Sequence, residues 1–157
     1  MKVLLTESEQ TFVRNVARLR FRNNRSTNTH NGRIGKQSDE ATDVQGFGGE
    51  LAFCRMAGIE PDLSIEPGVR PAVDCVLSDG RTVDVKTSFR NDAPLRAKPK
   101  PGATLPDLYA LMVGAFPAFR FAGTIESARL IRQENWKKTK YDHAFVMPQK
   151  LLDRKGV

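Results

Sequence analysis

An α/β fold, a β-sheet carrying a hairpin and flanked by helices, is what this chain of 157 residues predicts. Three observations predict it. Val73 to Val85 holds two alternating apolar runs around Asp79-Gly80, the pattern of a β-hairpin. Two stretches, about 7–22 and 42–57, set apolar residues at helical spacing behind capping signals. Leu108 to Val113 is continuously apolar and Phe119 to Ile125 alternates, as a buried strand and its neighbour would. At this length a single domain over 1–157 is expected, with a basic helix and loop over 1–36 and a core over 43–148.

Taken in order, Thr6-Glu7-Ser8-Glu9 has the form of a capping box, and Phe12, Val13, Val16 and Leu19 follow as the apolar face of the first helix. Arg14, Arg18 and Arg22 are then successive i, i+4 positions with no acid on their ridge. Like charges so spaced repel by a few tenths of a kcal/mol per pair, so the ridge is either a solvated face or a grip for phosphates. Residues 23–36 have loop composition, kept basic by Arg25, Arg33 and Lys36, with His30 reading as a solvated loop histidine.

Thr42-Asp43-Val44-Gln45 is a second capping signal, opening a helix that runs to Ala57 and stops at Gly58. Its stripe is Val44, Phe47, Leu51 and Cys54, and Glu50 falls at the edge of that stripe. Gly46, Gly48 and Gly49 each weaken the helix by roughly 1 kcal/mol relative to Ala, which makes sense where backbone must approach a sheet or a ligand. Ile59 to Ile65 is expected as a strand broken by Pro61, followed by a turn at Pro67-Gly68. Arg90 to Pro106, with four prolines, reads as an exposed basic loop. Glu126 to Gln133 is expected as a short helix and Ala144 to Met147 as a last strand. Trp136-Lys137-Lys138-Thr139-Lys140-Tyr141 interleaves aromatics with lysines, which fits either nucleic-acid contact or a loop anchored by its Trp.

The formal net charge of +7 favours an anionic partner, nucleic acid ahead of a membrane surface. Cys54 and Cys75 are not spaced as metal ligands and read as reduced core residues of a cytoplasmic protein, bacterial or in a phage-infected host. No apolar run is long enough to span a bilayer, and the start of the chain turns polar too soon for a signal peptide.

The hairpin carries the chemistry. With a two-residue loop, Asp74 and Asp84 would point to opposite faces. A three-residue loop, Ser78-Asp79-Gly80 with Gly80 left-handed, pairs Asp74 with Asp84 and puts Lys86 on the same face. Like charges facing each other on a sheet destabilise it, so the arrangement asks for a cation. Glu50, Asp74 and Asp84 offer the oxygen ligands that Mg2+ or Mn2+ requires.

Gly49-Glu50, Asp74 and Asp84-Val85-Lys86 together resemble the motif of the PD-(D/E)XK nuclease superfamily, over roughly residues 43–125. The resemblance implies a restriction-endonuclease-like core, a central mixed sheet with helices on its faces. It implies Asp74, Asp84 and the Val85 carbonyl as metal ligands, Glu50 as a ligand direct or through water, and Lys86 as catalytic. Val73 stands where the family usually has proline, and Pro-rich 90–106 stands where it has a crossover helix. The expected activity is Mg2+-dependent hydrolysis of DNA, most simply by an endonuclease of recombination, repair or phage DNA processing. Arg14, Arg18, Arg22 and Arg25 would grip phosphates together with Arg90, Arg96, Lys98 and Lys100. A non-catalytic nucleic-acid-binding module with a nuclease-like fold is the alternative, and a protein-interaction role with a merely basic surface is a third. A homodimer would allow two coordinated cuts, though no stretch singles out an interface.

Overall fold

A five-stranded mixed sheet lies between two long helices and a second, three-stranded sheet in the computed structural model, which describes residues 1–26, 38–63, 73–140, 142–155 and 157. The elements are β1 (Lys2–Leu4), α1 (Glu7–Ser26), α2 (Asp39–Ala57), β2 (Cys75–Val76), β3 (Thr82–Ser88), β4 (Leu95–Ala97), β5 (Leu108–Val113), β6 (Ala118–Glu126), the one-turn α3 (Ser127–Leu130), β7 (Trp136–Lys138) and β8 (His143–Met147). The large sheet runs β1-β6-β5-β3-β2, with β3 and β5 parallel and its other pairs antiparallel; the small one runs β4-β8-β7. The α/β class is therefore as expected. No described helix is long and apolar enough to cross a membrane.

Alternation along the strands builds a core on each side of the large sheet. Val83, Val85, Leu108, Ala110 and Met112 face α1 and α2. Tyr109, Leu111, Val113 and Ile125 face Leu95, Ala97, Leu130 and Met147. The second helix is pressed against the sheet where it lacks side chains. A Cβ on Gly48 would meet the Phe116 and Phe119 rings, and one on Gly49 would overlap Thr87. Gly46, by contrast, has open space around it.

The Thr6 capping box forms as expected, with Thr6 N–H donating to Glu9 Oε2 at 2.6 Å and Glu9 N–H to Thr6 Oγ1 at 3.3 Å. Its helix continues a turn beyond residue 22, to Ser26. The apolar face is rotated from the expected one: Val13, Val16, Ala17 and Arg20 are buried, whereas Phe12 and Leu19 are partly exposed. The second helix begins one turn before Thr42, because Ser38 caps it by accepting Ala41 N–H and acidic Asp39 and Glu40 suit its first turn. It ends as expected at left-handed Gly58 (φ 67°).

Two strand expectations need correction. Residues 59–63 form no strand: Pro61 has no N–H to give a ladder, and the Asp62 carbonyl accepts the Arg20 guanidinium at 2.9 Å. Nor is Arg90 to Pro106 simply an exposed loop, since Leu95 and Ala97 are buried in β4, paired with β8. The connection between parallel β3 and β5 thus carries a strand of the second sheet where a crossover helix is usual. The expected turn at Pro67-Gly68, residues His30, Arg33 and Lys36, and the side chain of Arg25 lie outside the described residues.

Candidate functional site

Gly80 decides the hairpin. It is left-handed (φ 88°), its N–H donates to the Leu77 carbonyl at 2.9 Å, and Leu77 N–H donates to the Arg81 carbonyl at 2.8 Å. The loop is therefore the three residues Ser78, Asp79 and Gly80, in the bulged form that Gly favours. Cys75 faces Val83 and Val76 faces Thr82, so the pairing stops one residue short of Asp74, and the expected direct pairing of Asp74 with Asp84 does not form. The ladder ends there. Asp74 N–H donates to the Val83 carbonyl at 3.0 Å, and the Asp74 carboxylate accepts Val85 N–H at 2.7 Å. A side chain has taken the place of the next main-chain rung. Asp74 is thereby turned along the ladder and does not stand off the sheet beside Asp84.

The other members come from neighbouring elements. Lys86 Nζ lies 2.6 Å from Asp84 Oδ1 and 5.9 Å from the centre of the Tyr109 ring, on the face turned away from α2. Glu50, on α2, is mostly buried and meets Arg20 of α1 at 3.4 Å. Arg20 also lies over the Phe47 ring at 4.5 Å, and its Nε finds no acceptor among the described residues. A cleft of about 400 Å3 opens beside Asp74, walled by Ile59, Pro61, Asp62, Val73 and Val76.

Electrostatics bind these groups into one cluster. Burial, reinforced by the charges of Glu50 and Asp84, pushes the Asp74 carboxyl up to about 8, against the pull of Val85 N–H and Lys86. Burial and the Asp84 charge push Tyr109 up to about 12. Cys54 and Cys75 are buried free thiols, as expected. The Cys75 thiol and then burial, with Glu50 and Asp74 adding to both, hold Cys54 far above the ordinary thiol range.

Among the described residues, no three His, Cys, Asp or Glu side chains converge closely enough to hold a metal ion. The expected shared cation between Asp74 and Asp84 thus has no preformed cage. Each carboxylate is turned to a partner of its own: Glu50 to Arg20, Asp74 to Val85 N–H and Asp84 to Lys86. The donor set nonetheless fits a hard divalent cation in kind. Glu50 meets Arg20 and Asp84 meets Lys86, while the Asp74 carboxylate accepts a main-chain N–H and pairs with no cation among the described residues.

Arg20 is the residue that the sequence reading passed over. Val13, Val16, Ala17 and Arg20 are spaced i, i+3, i+4, i+7, and following that spacing past its apolar members would have marked a charge on a buried face. Of the expected phosphate-gripping residues, Arg14, Arg18 and Arg22 are exposed on α1, with Arg14 over the Phe116 ring at 5.1 Å and Arg18 3.9 Å from Glu40 of α2. Arg90 pairs with Asp92 at 2.9 Å, Lys100 is exposed, and Asp142 holds both Arg96 (2.7 Å) and Lys98 (3.3 Å). The α1 ridge and the Arg96/Lys98 group stand on opposite sides of the large sheet, because α1 packs on one core and β4 on the other. They do not form a single grip.

A mixed α/β protein with three partly buried acids near the end of a hairpin ladder is the class that fold and site define. The chain belongs to a family of unknown function, DUF5843, which its residues 1–120 match. That match takes in α1, α2, the hairpin and β5, and so every member of the cluster. None of the curated proteins matches the chain.

Proposed function

We propose that this protein is a metal-dependent deoxyribonuclease of the PD-(D/E)XK type, built on a restriction-endonuclease-like core. The observation that carries the reading is the hydrogen bond from Val85 N–H to the Asp74 carboxylate, which sets Asp74 against the Asp84-Val85-Lys86 strand at the end of the three-residue hairpin. In support, the helix glutamate, the hairpin aspartates and the lysine feel one another's charge, and perturbed titratable groups beside a cleft mark functional sites.

In this reading Glu50, Asp74, Asp84 and the Val85 carbonyl hold Mg2+ or Mn2+. Bound there, the ion would polarise the scissile phosphate and lower the pKa of a water nucleophile. The chain's own residues do the rest. Lys86 donates to a phosphate oxygen as negative charge grows on it in the transition state. To do so it exchanges its bond to Asp84 for one to substrate. Arg20 holds Glu50 in place, and the Arg14, Arg18 and Arg22 ridge neutralises backbone phosphates.

A second reading is favoured by one observation. The cluster is already neutralised in part by Arg20 and Lys86, with no three acids at metal-holding distance among the described residues. A non-catalytic nucleic-acid-binding module would look like this. One assay separates the two: supercoiled plasmid, linear duplex, single strands and a branched junction are each incubated with Mg2+, Mn2+ or EDTA. The nuclease reading expects cleavage that needs the divalent ion and is lost in Asp84→Ala with DNA binding retained. Undiminished cleavage by Asp84→Ala would sink it, and salt-sensitive binding without products would establish the module instead.

A further inference from the structure

The nuclease reading leaves unused the far edge of the second sheet, outside the residues that match the family. Strand β7 is its outermost strand and is exposed throughout. Its register sets Trp136 beside Phe145 and Lys138 beside exposed His143. The Trp136 ring stacks on His143 at 6.0 Å between centres and 17° between planes, and meets Phe145 at 4.8 Å in a tilted contact. Trp136 still leaves 37% of its surface in solvent. A Trp serving only to close a core would bring its ring under cover; here the indole is propped from below by Phe145 and from the side by His143.

The charges around this shelf are one-sided. Asp142, at the β7–β8 turn, is taken up by Arg96, Lys98 and Thr139, which fixes the hairpin from its inner edge. Lys137 and Lys138 are exposed and meet no carboxylate within ion-pair distance among the described residues. An aromatic ring held in place beside uncompensated lysines on an extended strand is what a base with its flanking phosphates needs. A duplex cannot use it, since its bases are stacked on one another and only its phosphates would reach the lysines. An extended peptide could pair with the same strand edge, but peptides have no general need of an indole platform with Lys138 on its face of the strand and Lys137 on the other.

We propose that the β7–β8 edge is a docking surface for an unpaired DNA strand, with one base stacked on Trp136 and its neighbouring phosphates on Lys137 and Lys138. This extends the nuclease reading towards substrates with a single-stranded arm or end, although its observations are separate from the acid cluster. It also gives the second sheet, which packs on the same side of the large sheet as Asp84 and Lys86, a share in substrate choice.

The test uses the intact chain in EDTA, where no cleavage occurs, and exploits the fact that Trp136 is its only tryptophan. An oligothymidylate of twelve nucleotides is expected to quench the intrinsic emission, with a midpoint that moves to higher concentration as salt is raised. A blunt duplex of equal length should leave the emission nearly unchanged even where fluorescence anisotropy of a labelled strand reports binding elsewhere. Trp136→Ala should weaken single-strand binding about 5- to 150-fold, the range for loss of one stacked base. Lys137→Glu/Lys138→Glu, which alters exposed positions only, should weaken it about 10-fold or more without changing the thermal midpoint, and keeps the test open if the Trp variant misfolds. Emission that stays constant while anisotropy shows single-strand binding would overturn the proposal, as would equal quenching by duplex. Quenching by a polyglutamate peptide and not by oligothymidylate would overturn it in favour of a peptide partner. Loss of Mg2+-dependent cleavage activity from the reading above would leave all of these readouts standing, so the two can fail independently.

Discussion

Two charged clusters, one on the second sheet and one at the hairpin of the large sheet, are built to opposite plans. On the second sheet, one acid, Asp142, serves two cations, Arg96 and Lys98, in a half-exposed turn. At the hairpin, Asp74 lies beside the charges of Glu50 and Asp84 with its carboxylate bonded to a main-chain N–H, while Arg20 meets Glu50 and Lys86 meets Asp84. The first arrangement is complete and shields a turn. The second presses a carboxyl into a low-dielectric setting beside two like charges, which costs stability and which folding alone would not require. The contrast points to the hairpin cluster as the place where something cationic, or a reaction, is accommodated.

Removing Arg20 should break this contrast most severely. Arg20→Ala takes the positive partner from a buried pair and is expected to cost about 3–5 kcal/mol in urea unfolding, far more than any single change in the Asp142 group. Lys86→Gln is expected to slow divalent-dependent cleavage by about 10²- to 10³-fold while moving the unfolding midpoint little, because Lys86 is partly exposed. A cleavage rate within a factor of two of the parent would remove Lys86 from the site.

Asp74 supplies the pH test. Its folded value of about 8 exceeds the ordinary aspartate value of 3.8, so the folded state holds the proton that the unfolded chain releases. Stability from this group is fully present below about pH 4, falls as pH rises towards 8, and changes no further above that. Metal-free protein should therefore lose a few kcal/mol between pH 4 and 8 on this account. Asp74→Asn keeps an acceptor for Val85 N–H, and should flatten that slope and raise the midpoint at pH 8. A slope that persists unchanged in the variant would exclude Asp74 as its source. The smallest effect belongs to the other cluster: Asp142→Ala should cost about 1 kcal/mol or less at pH 7, as expected of partly exposed pairs, and should leave cleavage unaltered.

The hairpin was legible because one glycine settles it. Only Gly tolerates the left-handed residue of the bulged loop at low cost, and that residue fixes the cross-strand neighbours back to Cys75. Capping chemistry likewise gave the start of α1 and the end of α2. The misses have one physical origin in common, which is that local pattern does not report who fills the other side. Phe12 and Leu19 looked like the buried face, but their flank of α1 is left partly open while Val13, Val16 and Ala17 meet α2 and the sheet. Strand β1, only three residues long, exists because β6 offers it an edge. Strand β4 hides among prolines that flank its Leu95-Arg96-Ala97 without entering it. Within the site, the register could be read from sequence, whereas the pairing of each carboxylate with its own neighbour could not, since Arg20 arrives from a distant helix.

The substitution of the Asp74 carboxylate for a ladder rung makes the Val85 amide proton a built-in reporter. Its shelter from exchange depends on one carboxylate oxygen, Oδ2, and not on a neighbouring strand. Any ligand that draws Asp74 away must release that proton to solvent, so occupancy at the acid cluster would be readable as faster deuterium uptake at a single backbone position. A ligand that uses only Oδ1 would leave it silent. Binding and local opening of the sheet edge are thus thermodynamically linked through one hydrogen bond.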